Sequence, residues 1–108
     1  MYQSQVPQTR DIELFYITML TEVNLNLYKY FLAVIEEKSV SKAAEKLCVS
    51  QPTVSYNLHE LQRALRVKLF VVERTGVVPL PQAINLYQRI KPIYSALLQI
   101  INDFCQDN

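Results

Sequence analysis

The chain has 108 residues, half of them hydrophobic, with a formal net charge of +1, two cysteines and a single glycine. This length sets one small domain with a modest core, and long runs rich in Leu, Ile, Ala, Glu and Lys favour helix, where such side chains lose little rotamer freedom. Cys48 and Cys105 lie far apart with no signal-peptide pattern beside them, and no apolar run approaches the roughly 20 residues that span a bilayer, so a disulfide-framed secreted protein and a membrane span are excluded and a reducing cytoplasm is expected.

The near-zero net charge hides an uneven distribution. Residues 38–92 carry nine bases against three acids, a balance of +6, while residues 1–37 and 93–108 contribute −3 and −2. A basic centre between acidic ends suits a polyanion-binding surface, because neutralised phosphates release counterions. A plain solvated face gives the same signal.

Residues 1–10, "MYQSQVPQTR", are polar without a period and predict a disordered lead. Residues 11–23 open at a plausible cap, Asp11, but fit helix and strand equally, so residues 1–23 form an extension of undecided structure. From Asn24 the period sharpens: Leu27, Phe31, Val34 and Ile35 predict a first helix capped by Asn24 or Asn26 and ended at "EEKS".

In "SVSKAAEKL", Ser39 or Ser41 caps a short second helix whose Ala43, Ala44 and Leu47 allow close helix approach. "CVS" is a tight turn in which Val49 is the apolar plug and Cys48 a small core residue. Ser50 then caps a third helix with Pro52 in its first turn, where no N–H is missed. Val54, Leu58, Leu61 and Leu65 fall at steps of 4, 3 and 4, one buried stripe.

A short helix with small inward residues, a three-residue turn and a striped second helix describe a helix-turn-helix. The stripe leaves Gln51, Thr53, Ser55, Tyr56 and, one turn on, His59 facing outward. Such side chains donate and accept at base edges and phosphates, and the helix start adds N–H groups and a positive dipole end. In that setting His59 faces solvent or phosphate rather than a metal.

"KLFVVERTGVVPL" reads as two β-branched runs, 69–72 and 77–78, around "ERTG", where Gly76 supplies the positive φ of a hairpin. Arg74 at the tip favours a wing that touches DNA over a hairpin that only closes the core. Further on, Ala83, Tyr87, Ile90, Tyr94, Leu97, Ile101 and Phe104 step 4, 3, 4, 3, 4, 3, the spacing of a dimerisation seam. Leu86, Ile93, Leu98 and Ile100 widen this apolar surface, so part of it packs on the domain and part on a partner. Pro92 is expected to kink or split the helix near residues 89–91, since an interior proline removes a hydrogen bond and clashes.

The stretch from "NLNLYKYF" to "RVKLF", and above all "AAEKL", "VSQPTVS" and "VKLF", resembles the N-terminal DNA-binding region of LysR-type transcriptional regulators. The continuation "LFVVERTGVVPLPQAINL" is most similar to the NodD-like and LeuO-like branch. The resemblance covers residues 25–104 and implies a mostly α fold: a winged helix-turn-helix (residues 24–80) followed by a long linker helix (81–108). It further implies a homodimer placing two recognition helices, residues 50–65, in successive major grooves of double-stranded DNA. By position, the DNA-contacting set is Ser50, Gln51, Pro52, Thr53, Ser55 and Tyr56 with Lys42, to which the residue reading adds His59 and Arg74. The pairing set is Tyr87, Ile90, Tyr94, Leu97, Ile101 and Phe104.

The chain departs from the family in several places. Arg66 stands where glycine is usual at the end of the third helix, Tyr56 replaces a commonly basic or histidine residue, and Val72 and Thr75 stand where the branch often has arginine. Family members also carry a long effector-binding domain, and no effector site is assigned in these 108 residues; a fragment and a stand-alone protein both fit. One histidine, no paired carboxylates beside it, no glycine-rich phosphate loop and no metal-ligand spacing argue against an enzyme, a metal or a cofactor. The alternative function is a winged-helix interaction module that pairs with full-length regulators without binding DNA.

Overall fold

In the computed structural model, Leu14 and residues 26–106 are described, so the readings made for the rest of residues 1–25 lie outside the described part. Three helices come first: α1 (Leu27–Glu37), α2 (Val40–Leu47) and α3 (Gln51–Leu65). An antiparallel hairpin follows, β1 (Phe70–Glu73) with β2 (Gly76–Pro79), and then the long α4 (Pro81–Gln106). No described helix is long and apolar enough to cross a membrane.

Helix α1 is the centre of the fold and touches α2, α3 and α4. The four-residue pattern seen in the sequence understates it, because Tyr28, Tyr30, Leu32 and Ala33 are buried along with Leu27, Phe31, Val34 and Ile35. A helix apolar nearly all round must be covered on several sides. Phe31, fully buried, meets the ring of Phe70 at 5.8 Å between centroids and so ties the wing to α1. Ala43 and Ala44 of α2 and Val54, Leu58 and Leu61 of α3 complete this core as their spacing predicts.

The helix boundaries follow local chemistry. Ser39 Oγ accepts the Lys42 N–H at the start of α2, and Ser50 Oγ accepts that of Thr53 at the start of α3. All three helices end in a left-handed residue that is not glycine: Lys38 (φ 55°), Cys48 (φ 59°) and Arg66 (φ 57°). Cys48 is therefore no core plug. It is an exposed C-cap whose N–H reaches the carbonyls of Ala44 and Glu45, while Val49 beside it packs on the core. A turn this short needs one residue of inverted φ, and such a residue points its side chain away from the helix crossing.

A side chain held in the left-handed region costs roughly 1–2 kcal/mol, offset in part by the extra unfolded-state freedom of glycine. Arg66→Gly is expected to raise stability by about 0.5–1 kcal/mol, read as a higher urea midpoint at unchanged slope. An unchanged or lower midpoint would show that the Arg66 side chain contributes more than its backbone costs.

The two-residue hairpin loop is Arg74–Thr75, with Glu73 opposite Gly76. The inverted φ lies one residue later, at Gly76 (φ 136°), where an added Cβ would sit 3.0 Å from the Lys38 carbonyl oxygen. The glycine thus lets the wing lie against the end of α1.

Of the kink or split expected at Pro92, the split does not occur: α4 runs through it as one helix. Pro92 forfeits one helical hydrogen bond, but tertiary contacts hold the helix on both sides of it. Tyr87 and Ile90 before the proline and Tyr94 after it pack on the core, and Lys91 is paired to α1.

Candidate nucleic-acid interface

The first turn of α3 is built by a compact cap. Ser50 and Thr53 share a hydroxyl–hydroxyl hydrogen bond of 2.8 Å, and Asn57 Nδ2 donates to the Thr53 carbonyl at 2.8 Å. Thr53 is half-buried, whereas Gln51, Pro52, Ser55, Tyr56 and His59 are exposed on one side of the helix. Tyr56 keeps 64% of its surface exposed.

This geometry divides the sequence-derived set. Ser50 and Thr53 hold the turn, so their hydroxyls are already engaged, while Gln51, Ser55 and Tyr56 present side chains outward. The row of N–H groups expected at the helix start is also shorter than supposed. Pro52 has none, Thr53 donates to Ser50 Oγ and Val54 to the Ser50 carbonyl, which leaves the Gln51 N–H to face a ligand. Lys42 is exposed on the first turn of α2 and Arg74 at the hairpin tip. Val72, beside that tip, is 85% exposed.

One positioning residue was not found in the sequence. Gln62 Oε1 accepts from the Leu69 N–H at 2.7 Å and the Phe70 N–H at 3.3 Å, joining the back of α3 to the first wing strand. A glutamine among polar neighbours carries no local signal for this. Past Tyr56, Arg63 pairs with Glu60 at 2.8 Å, which holds the Glu60 carboxyl below its ordinary range. His59 lines a shallow groove with Gln62, Arg63, Val67 and Lys68. Among the described residues no group of three or more His, Cys, Asp or Glu is placed to hold a metal ion.

The bases of the central segment are not all available to a polyanion. Glu36 at the end of α1 accepts from Lys91 Nζ at 2.7 Å and Tyr87 OH at 2.9 Å on α4, with Lys46 Nζ of α2 at 3.6 Å. The hydrogen bond from Lys91 is the main reason the Glu36 carboxyl titrates below its ordinary range; burial opposes it, and Tyr87 and the two lysine charges reinforce it. The stabilisation from this ionised carboxylate is therefore fully present above the ordinary glutamate range and is lost as pH falls through the lowered value, the apolar packing of α4 remaining.

The expected seam on α4 is divided. Ala83 is buried, and Tyr87, Ile90 and Tyr94 pack on the same domain, Tyr87 also bonding to Glu36. Their packing follows from the short connection after the hairpin, where the Leu80 N–H bonds to the Leu69 carbonyl and starts α4 against the core. Beyond Tyr94 every residue to Gln106 is exposed, including Leu97, Leu98, Ile100, Ile101 and Phe104. This face continues through Ile93 into a groove of about 450 Å³ bordered by Leu65, Val67, Leu86 and Ile90.

The chain matches the family model described as "Bacterial regulatory helix-turn-helix protein, lysR family" over residues 25–83. It is 38% identical over 71 residues to the HTH-type transcriptional activator NagR of Ralstonia sp, an alignment covering 66% of this chain and 24% of NagR. It is 32% identical over 80 residues to the HTH-type transcriptional regulator BenM of Acinetobacter baylyi, covering 74% of this chain and 26% of BenM. Among solved structures it superposes on that of a complex between the BenM DNA-binding domain and catB site 1 DNA, with TM-score 0.71 and 31% identity over 77% of this chain and 93% of that one. The chain thus spans about a quarter of the length of the curated relatives it matches. The match is to the family as a whole and does not single out the NodD-like and LeuO-like branch.

Proposed function

The chain belongs to the lysR family of bacterial regulatory helix-turn-helix proteins, and we propose that it binds double-stranded DNA sequence-specifically as a homodimeric transcriptional regulator. The carrying observation is the outward face at the start of α3. Gln51, Ser55 and Tyr56 are exposed together there, on a turn whose cap is completed by Ser50 and Thr53. BenM's domain, of matching fold, is solved in complex with DNA.

In this reading residues 24–80 are the DNA-binding domain and residues 81–108 the linker. Gln51 and Ser55 read base edges, Tyr56 adds ring and hydroxyl contact, and Ser50, Pro52 and Thr53 fix the approach of the backbone. Lys42, His59 and Arg74 lie toward phosphates. Leu97, Ile101 and Phe104 meet a second copy, whereas Tyr87, Ile90 and Tyr94 act mainly by docking α4 on its own domain. The chain works in the cytoplasm, without catalysis or cofactor of its own.

A bidentate side chain at a base edge discriminates by about 1–3 kcal/mol. Gln51→Ala is expected to weaken binding by that amount at one base position per half-site and to leave all base variants there nearly equal, measured by titration of single-position duplex variants. A uniform loss across all sequences would place Gln51 on the phosphates instead.

A further inference from the structure

We propose that Glu36 is a specificity-determining positioning residue: by fixing the direction of α4 it sets the separation between half-sites that the dimer accepts. This rests on the reading of the chain as a DNA-binding dimer.

Three kinds of contact hold α4 on the domain: a hydrogen bond in its first turn from Gln82 Nε2 to the Lys68 carbonyl at 2.6 Å, apolar burial, and the Glu36 carboxylate further along. Ala83, Leu86, Tyr87, Ile90 and Tyr94 bury apolar surface, whose driving force is non-directional. The Glu36 carboxylate is different. It receives Lys91 Nζ at 2.7 Å and Tyr87 OH at 2.9 Å, two groups one turn apart on α4, and its other oxygen forms a looser ion pair at 3.6 Å with Lys46 of α2, whose hydrogen bond goes to Glu37 at 3.4 Å. The two hydrogen bonds from α4 weaken steeply when misaligned. One carboxylate at the end of α1 thereby holds two successive turns of α4 and resists both its rotation and its tilt.

Small changes there grow with distance. From Lys91 to Ile101 the helix advances about 15 Å at 1.5 Å per residue, so a tilt of about 10° moves the seam by roughly 2.5 Å. In a two-fold dimer the recognition helices shift by about twice that, more than the 3.4 Å advance per base pair. A partly exposed ion pair contributes little to stability. Its position at the root of the lever is what gives it an effect on site choice.

The test compares wild type, Glu36→Ala and Lys91→Met on duplexes carrying the half-sites that the wild-type protein selects from a random pool. These are set at the preferred separation and at separations changed by one and two base pairs. Wild type is expected to lose about tenfold in affinity for each base pair of misfit, and both variants about threefold or less, the separation profile being flattened rather than lowered. Lys91→Met leaves α1 untouched, so it reads the same junction even if Glu36→Ala folds poorly. Variant profiles parallel to that of wild type, whether unchanged or uniformly weakened, overturn the assignment. A wild-type protein indifferent to separation overturns the dimer reading itself, and does so without any variant.

Discussion

Ile101→Glu is expected to yield a monomer whose winged domain still unfolds cooperatively, with affinity for a duplex carrying two half-sites lowered by about 10²–10⁴-fold. The loss is that of effective concentration: two linked recognition helices bind the second half-site intramolecularly, and an unlinked one does not. Ile101 is suited to the test because it lies in the stretch of α4 that has left the domain, with every residue from 95 to 106 exposed. A carboxylate placed there touches no intramolecular core. In a two-fold pair it is brought toward its symmetry mate in an apolar contact, where uncompensated charge is strongly destabilising. Leu97→Glu, one helical turn earlier on the same face, is expected to behave alike. Sedimentation gives the mass, circular dichroism the fold and a DNA titration the affinity. An unchanged mass would discard the seam.

Gly76→Ala is expected to destabilise the domain by about 2–3 kcal/mol, lowering the melting temperature by roughly 10–20 °C. Two costs coincide at this residue. Its φ of 136° is one that residues with a side chain rarely adopt, and the added Cβ would stand 3.0 Å from the Lys38 carbonyl oxygen. That carbonyl belongs to the closed end of α1, where the Lys38 N–H bonds to the Val34 carbonyl at 2.7 Å, so it yields only by disturbing the helix end. Thr75→Ala, in the exposed loop next door, is the control, expected to change stability by less than about 0.5 kcal/mol. Equal melting temperatures for the two variants would mean that the wing adapts to a side chain without leaving α1.

The parts legible in the sequence were those specified by near neighbours. The stripe of Val54, Leu58 and Leu61, the small face of Ala43 and Ala44, and the caps at Ser39 and Ser50 are each written within one helix, and the structure places them as expected, with Leu65 at the end of the stripe only half-buried. The misreadings arose where a distant contact decides. Pro92 reads as a kink or a split because local chemistry disfavours it, yet no split follows, and the helix continues where Lys91 and Tyr87 are held by Glu36, more than fifty residues earlier. Cys48 reads as a core residue because free cysteine is commonly buried, but the three-residue turn needs an inverted φ there and turns it outward.

The stripe on α4 shows the same limit. Its 4, 3 spacing from Ala83 to Phe104 is continuous, and nothing in the spacing separates Ile90, which packs on the domain, from Leu97, which does not. Only the geometry of the hairpin exit draws that boundary. At the DNA-facing turn the residue types were legible but their division of labour was not. Ser50 and Thr53 have the same chemistry as Ser55, and it is the 2.8 Å bond between their hydroxyls that commits them to the cap.

The central claim, a dimer that reads DNA through α3, is tested most directly by selecting bound sequences from a random duplex pool and titrating the winner at several salt concentrations. The expected result is a two-fold-symmetric sequence, bound with log affinity falling against log salt by about 0.9 per phosphate neutralised. No enriched sequence, and no binding even at low salt, would contradict it and would favour a module that pairs with other regulators through α4 alone.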